Sequence, residues 1–153
     1  MTPSHLESAP QRPVQEKTAW MSLLTTLALY VPYFAFVWPE LLAGTATIGP
    51  ALVLLIVVQA VLLPLSLWVW RRLEGGPEGA LTDERDRAIA LRATRTSYVV
   101  LAGLGFTWGS VLLLPGGAAL AVPGTLLHVA LLSFVLAEVA GNIVSLWSYH
   151  RGG

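Results

Sequence analysis

The sequence predicts an all-α membrane protein with four transmembrane helices, arranged as two tandem hairpins, with the third helix extended into the cytoplasm. Hydrophobic residues make up 55% of the 153-residue chain and charged residues only 12%, which is more apolar surface than a soluble domain of this size can hide. All nine Lys and Arg lie before residue 18, between Arg71 and Arg95, or at Arg151. Each of the two stretches free of basic residues can cross a bilayer and return, because one span takes about 20 residues at about 1.5 Å rise each.

Residues 1–17 form a Pro- and Ser-containing polar tail, expected to be disordered and cytoplasmic. No basic start precedes a short apolar core there, so a signal peptide is not expected. The first hairpin occupies residues 18–70. Its first span runs from Thr18 to Trp38 and is closed by Pro39; its second runs from Pro50 to Trp70 and is stopped by Arg71 and Arg72. Residues 71–96 are a cytoplasmic loop and a charged juxtamembrane helix. The second hairpin covers residues 97–149, with a third span from Ser97 to Leu114, a break at Pro115-Gly116-Gly117, and a fourth span from Pro123 to Tyr149. Residues 150–153 end the chain. The turns PELLAGTATIG and PGGAALAV carry no Lys or Arg, so both termini and the central loop are expected on the cytoplasmic side. Trp20, Trp38, Trp68, Trp70, Trp147, Tyr98 and Tyr149 stand near predicted span ends, where amphipathic rings favour the headgroup level. Trp108, inside the third span, does not follow that pattern.

The second and fourth spans end alike, in Ser66-Leu67-Trp68 and Ser145-Leu146-Trp147, and the same alignment superimposes Gln59 on Glu138. Two readings account for this. One is a duplicated hairpin related by a pseudo-twofold axis along the membrane normal; the other is that Trp and Arg recur at helix ends for interfacial reasons alone.

Glu138 falls near the middle of the fourth span, where insertion scales place the cost of an acid at about 2.5–3.5 kcal/mol. Asn142 is one turn further on the same face and His128 is near it in projection, so the three form a polar stripe expected to face the bundle interior. If the repeat holds, Gln59 approaches Glu138 across the axis, and a protonated Glu138 donating to Gln59 or Asn142 would be an uncharged, satisfied pair. Glu138 is then neutral glue between helices, a proton or cation site, or a contact with another subunit. Ser133, Ala137, Gly141 and Ser145 are small residues at four-residue steps in the fourth span, and Gly105 and Gly109 make a G-x-x-x-G in the third. These predict close packing of helix three on helix four, with a homodimer seam as the alternative. Pro32 and Pro64 each free a carbonyl within a span, to be absorbed by packing or used as a kink.

Thr82 or Asp83 is placed to cap a helix that meets no Gly or Pro until Gly103, so this helix is expected to run unbroken into the third span. Between residues 71 and 96 six arginines oppose five acids, a balance that favours pairing within the segment over capture of lipid phosphate. Acids cap the helix start, while Arg92 and Arg95 anchor its far end. Asp83, Glu84, Arg85 and Asp86, followed by Ile89, Arg92, Arg95 and Tyr98, resemble the D-E-R-D and I-x-x-R-x-x-R-x-x-Y signature of a family of small bacterial integral membrane proteins with about four helices. The resemblance covers roughly a sixth of the chain. It implies a multi-pass protein of the bacterial cytoplasmic (inner) membrane and brings no activity with it.

An enzyme is not expected. The chain has no H-E-x-x-H, G-x-S-x-G or phosphate loop, and no cysteine. His5, His128 and His150 do not share one depth on facing helices, which excludes a haem held within one chain, though not one shared between chains; no metal or other cofactor is expected. The formal net charge of zero gives nucleic acid no electrostatic support. The partners expected are the lipid bilayer and either a protein partner or a second copy. The favoured function is a structural or regulatory subunit that docks a partner through its charged cytoplasmic helix; the alternative is a small dimeric proton-coupled transporter using Glu138.

Overall fold

The computed structural model of the chain describes residues 14–73 and 84–151. Among the described residues there are four long helices, α1 (Val14–Leu42), α2 (Pro50–Leu73), α3 (Glu84–Leu112) and α4 (Pro123–His150), a 3-10 turn at Gly117–Leu120, and no strand. Two of the helices, α1 from Gln15 to Leu42 and α4 along its whole length, are long and apolar enough to cross a membrane.

The first helix departs from its expected limits at both ends. It begins at Val14, so residues 14–17 of the polar tail are helical; residues 1–13 lie outside the described residues. It also runs through both Pro32 and Pro39. A proline removes one backbone hydrogen bond and need not reverse the chain, and the stop comes instead from Gly44, whose φ of 67° is left-handed. There the Thr45 N–H donates to the Glu40 carbonyl at 2.9 Å and the Gly44 N–H to the Leu41 carbonyl at 3.2 Å, the paired bonds of a Schellman cap.

The remaining limits follow their punctuation. Pro50 and Pro123 begin α2 and α4 at a position where a missing N–H costs nothing. The third helix is unbroken from Glu84 to Leu112; the cap expected at Thr82 or Asp83 lies outside the described residues. Its end comes two residues before Leu114, where the Leu113 and Leu114 N–H groups bond the Ser110 and Val111 carbonyls at 3.1 and 3.2 Å in tightened turns.

At the centre of the packing is α4, with α3 along one flank and α1 along another, while α2 rests mainly against α1. Both neighbours run antiparallel to α4: Ser22 meets Asn142 and Tyr33 meets His128 on one side, and Asp86 meets Tyr149 on the other. Tyr30, Phe34 and Val135 form the core of the α1–α4 seam, joined by Leu131, Val139 and, from α2, Leu55. The two predicted hairpins are therefore unequal in packing. α3 and α4 form a close pair, whereas α1 is bound more to α4 than to α2.

The small residues of α4 receive α3, but not through the glycines expected. Ser133, Ala137 and Gly141 are buried and Ser145 is half-buried. A Cβ on Gly141 would fall on the Ser97 side chain, with the Ala93 carbonyl next to it. Gly105 and Gly109 are exposed, with nothing within 4 Å of the Cβ each would carry. The stripe that faces inward on α3 is set by Ile89, Ala93, Ser97, Val100, Leu104 and Trp108, at steps of four and three, and both glycines lie off it by about a quarter turn or more.

Gly124 marks the other close approach, where an added Cβ would fall on the Ala46 carbonyl in the α1–α2 connection. Backbone there has no rotamer with which to yield. Gly124→Ala is expected to destabilise the protein by about 1–3 kcal/mol, and Gly105→Ala to be neutral or stabilising by up to about 1 kcal/mol. Unfolding midpoints in detergent compare the two, and a larger loss for Gly105→Ala would contradict this packing.

Candidate functional site

The polar residues of α4 are met by hydroxyls spaced to match them on α1. Ser22 and Thr26 are four apart, as are Glu138 and Asn142, so on antiparallel helices each pair presents one face to the other. Asn142 Nδ2 donates to Ser22 Oγ at 3.1 Å, Ser22 Oγ donates to Glu138 Oε1 at 3.2 Å, and Thr26 Oγ1 donates to the same oxygen at 3.4 Å. Thr26 is fully buried. Both hydroxyls reach Oε1, and Oε2 receives no hydrogen bond from the described residues.

His128 continues the stripe toward the other end of the seam, where it is buried. Its Nδ1 lies 2.7 Å from the Gly124 carbonyl, which can only accept, so the proton is on Nδ1. In the neutral ring Nε2 is then an acceptor, and the Tyr33 O–H donates to it at 2.7 Å. The Tyr33 and His128 rings are parallel, with centroids 5.9 Å apart. Glu138, Asn142 and His128 thus all face α1, as the stripe predicts, but His128 bonds neither of the other two.

Gln59 is not brought to Glu138. Its Oε1 is buried without a partner among the described residues, and the carboxylate is occupied from α1, the helix that stands where a pseudo-twofold arrangement would put α2. Sequence reasoning missed Ser22, Thr26 and Tyr33. A signal for them existed: Ser22, Thr26, Tyr30 and Tyr33 repeat at steps of four, four and three through the first span, a polar stripe on an otherwise apolar helix.

On its other side Glu138 borders a groove of about 300 Å³ between α3 and α4, walled by Thr94, Ser97, Tyr98, Leu101 and Phe134. A second cavity of about 300 Å³ lies between the far ends of α1, α3 and α4, among Trp38, Leu41, Trp108, Val111, Thr125 and Val129. It is apolar apart from Thr125, whose buried hydroxyl has no partner among the described residues. Only the first cavity contains an ionisable group.

The charged segment is held at the opposite end of the same α3–α4 seam. Tyr149 O–H donates to Asp86 Oδ1 at 3.0 Å, and Ile89 and Ala93, both buried, seat the next two turns of α3. Asp86 is the acid of the D-E-R-D sequence that is turned inward; Glu84, Arg85, Arg87, Arg92 and Arg95 remain exposed, and Asp83 lies outside the described residues. The matched ends of α2 and α4 share one contact type: Arg72 stacks over Trp68 at 5.4 Å and Arg151 over Trp147 at 4.3 Å, cation–π pairs one helical turn apart. Comparison of the chain with protein-family models, curated proteins and solved structures gave no match.

Ser22 is the joint of the polar seam, accepting from Asn142 while donating to Glu138. Ser22→Ala is expected to cost about 0.6–1.7 kcal/mol, the range for hydrogen bonds between membrane helices, and to cost less in an Asn142→Leu background. Equal losses in both backgrounds, measured by unfolding in detergent, would show that the hydroxyl is not shared.

Proposed function

We propose that the chain is a four-span protein of the bacterial cytoplasmic membrane, with both termini inside, whose rigidly seated charged helix docks a protein partner. Support for the membrane comes first from what the helices leave uncovered. The spanning windows of α1 and α4 are only 28% and 22% buried within the protein, whereas the core helix of a soluble domain is covered on most sides. Phe36 and Phe106 are 81% and 80% exposed, a placement that is favourable only in an apolar solvent.

Support for four spans comes from α2 and α3. No charged residue falls between Pro50 and Trp70, within a helix of 24 residues. On α3 the charges stop at Arg95, and the apolar part from Thr96 to Leu112 extends about 25 Å, close to the hydrocarbon thickness of about 30 Å. The contacts that make α1 and α3 antiparallel to α4 put the basic residues near Val14, Glu84 and His150 at one end of the bundle, in keeping with positive-inside orientation. The two Arg–Trp stacks suit an interface at that end.

The docking reading rests on the Tyr149–Asp86 hydrogen bond. A charged helix that merely floated beside the membrane would need no such tether; this one is fixed by a phenol on one side and by Ile89 and Ala93 beneath. Fixing removes the ordering cost that a partner would otherwise have to overcome. What it leaves facing outward is four arginines, one acid and the apolar Leu91, 71% exposed, a mixed surface of the kind that recognises protein.

Two measurements test this. Reporters fused after the last residue and inserted between α2 and α3 are expected in the cytoplasm together; opposite compartments would overturn the topology. Affinity capture from the native membrane is expected to recover a stoichiometric companion with the wild-type protein and with Glu138→Gln, and to lose it with Arg85→Ala combined with Arg87→Ala. Recovery of the same companion by the double variant, or of none by the wild type, would reject the docking surface.

A further inference from the structure

We propose that the groove between α3 and α4 beside Glu138 is a binding site for an organic ammonium ion carrying apolar bulk. This goes beyond the docking reading and does not depend on it, but it rests on the membrane-spanning part of the proposal above. The starting point is a carboxyl group deep in an apolar helix, about 18 Å from the end of α4 at His150, whose bonding partners among the described residues are two hydroxyls and no cation. Hydroxyl bonds of 3.2 and 3.4 Å orient the acid but supply no countercharge, and an ionised carboxylate at such a depth needs one. Both hydroxyls sit on Oε1, so Oε2 is left for whatever occupies the groove.

The walls define the rest of the ligand. Tyr98 and Phe134 are 72% and 57% exposed and flank the acid from α3 and α4. An aromatic ring offers a cation its negative face, and two rings beside one carboxylate fit an alkylated or aryl ammonium better than a metal ion, which would need several oxygen ligands. Among the described residues no group of three or more His, Cys, Asp and Glu stands together to hold a metal. Ser97 and Thr94 add hydroxyls able to accept from an N–H, and Leu101 supplies apolar contact. A volume of about 300 Å³ admits a ring and a substituted nitrogen together.

Titratable groups near Glu138 are phenols: Tyr30 on α1 and Tyr98 on α3. Neither competes as a cation. The rigid side of the site is α1, through Ser22 and Thr26, and the open side faces outward between α3 and α4. On the four-span reading that opening is to lipid, so a ligand partitioned into the bilayer enters laterally.

The test uses the full-length protein in phosphatidylcholine nanodiscs, which carry no net lipid charge, titrated with benzyltrimethylammonium and separately with its neutral isostere neopentylbenzene. Saturable binding of the cation is expected, at least about tenfold tighter than the isostere, with a loss of about tenfold or more in Glu138→Gln. Tyr98→Ala should weaken the cation about tenfold while Tyr98→Phe keeps it, because the ring face and not the hydroxyl is used. Equal binding of the isostere would make the groove merely apolar and overturn the proposal. So would wild-type affinity in Glu138→Gln or, if that variant does not fold, in Tyr98→Ala, whose position is exposed. Capture of a companion through Arg85 and Arg87 reads out separately, so failure here leaves the docking test intact.

Discussion

The arrangement of this protein turns on one seam, that between α1 and α4, because α4 carries an acid, an amide and an imidazole through an apolar stretch and each needs a partner there. A hydrogen-bonding group left alone away from water costs several times what a made bond contributes. Only a helix with polar groups at matching intervals can answer all three, and α1 does so with Ser22, Thr26 and Tyr33 when it runs antiparallel in one register. A shift by one turn would set Thr26 against Asn142 and leave Glu138 facing Tyr30. Fixing α1 there excludes α2 from the same flank of α4, and α3 takes the other flank. Glu138 thereby comes to lie between α1 and the α3 groove, bonded on one side and open on the other.

Much of the fold was legible because helix limits depend on local chemistry. Pro50 and Pro123 open helices, the Pro115-Gly116-Gly117 run breaks one, and the absence of Gly or Pro from Glu84 to Ala102 keeps α3 whole. Pro39 misled for a physical reason: one missing N–H is tolerated in a last turn, and the reversal requires the left-handed Gly44 five residues on. Pairing between helices was harder to read. The Gln59–Glu138 match is a feature of alignment, and alignment says which positions correspond, not which ones meet. The stripe of Glu138, Asn142 and His128 faces α1, since direction follows from helical period; its partners there are hydroxyls whose stripe is diluted in the sequence by Thr25, off that face.

The charged segment shows a similar limit of counting. Six arginines against five acids describe a nearly neutral stretch, yet charge is not spent evenly in three dimensions. Asp86 is turned toward Tyr149, so the outward side of the first turns is more basic than the composition suggests. Nothing in the segment itself predicts this, because Tyr149 belongs to the end of another helix and becomes available only when α3 and α4 are antiparallel. Both the proposed docking surface and the groove wall are therefore built on a single helix whose direction is decided elsewhere.

Side-chain size sets how that helix meets α4. At Gly141 the helices come so close that Ser97 occupies the space of a β-carbon, with Ala93 and Ala137 adding little bulk. Toward the other end α3 presents Trp108, Val111 and Leu112, and α4 presents Val129 and Leu132, and these line the apolar cavity there. The groove beside Glu138 lies at the level of that close approach, walled by Thr94, Ser97, Tyr98, Leu101, Phe134 and Ala137. Ala137 contributes little bulk there, so the larger Tyr98, Leu101 and Phe134 stand around the acid without covering it, and Glu138 is left bonded to α1 and open toward α3.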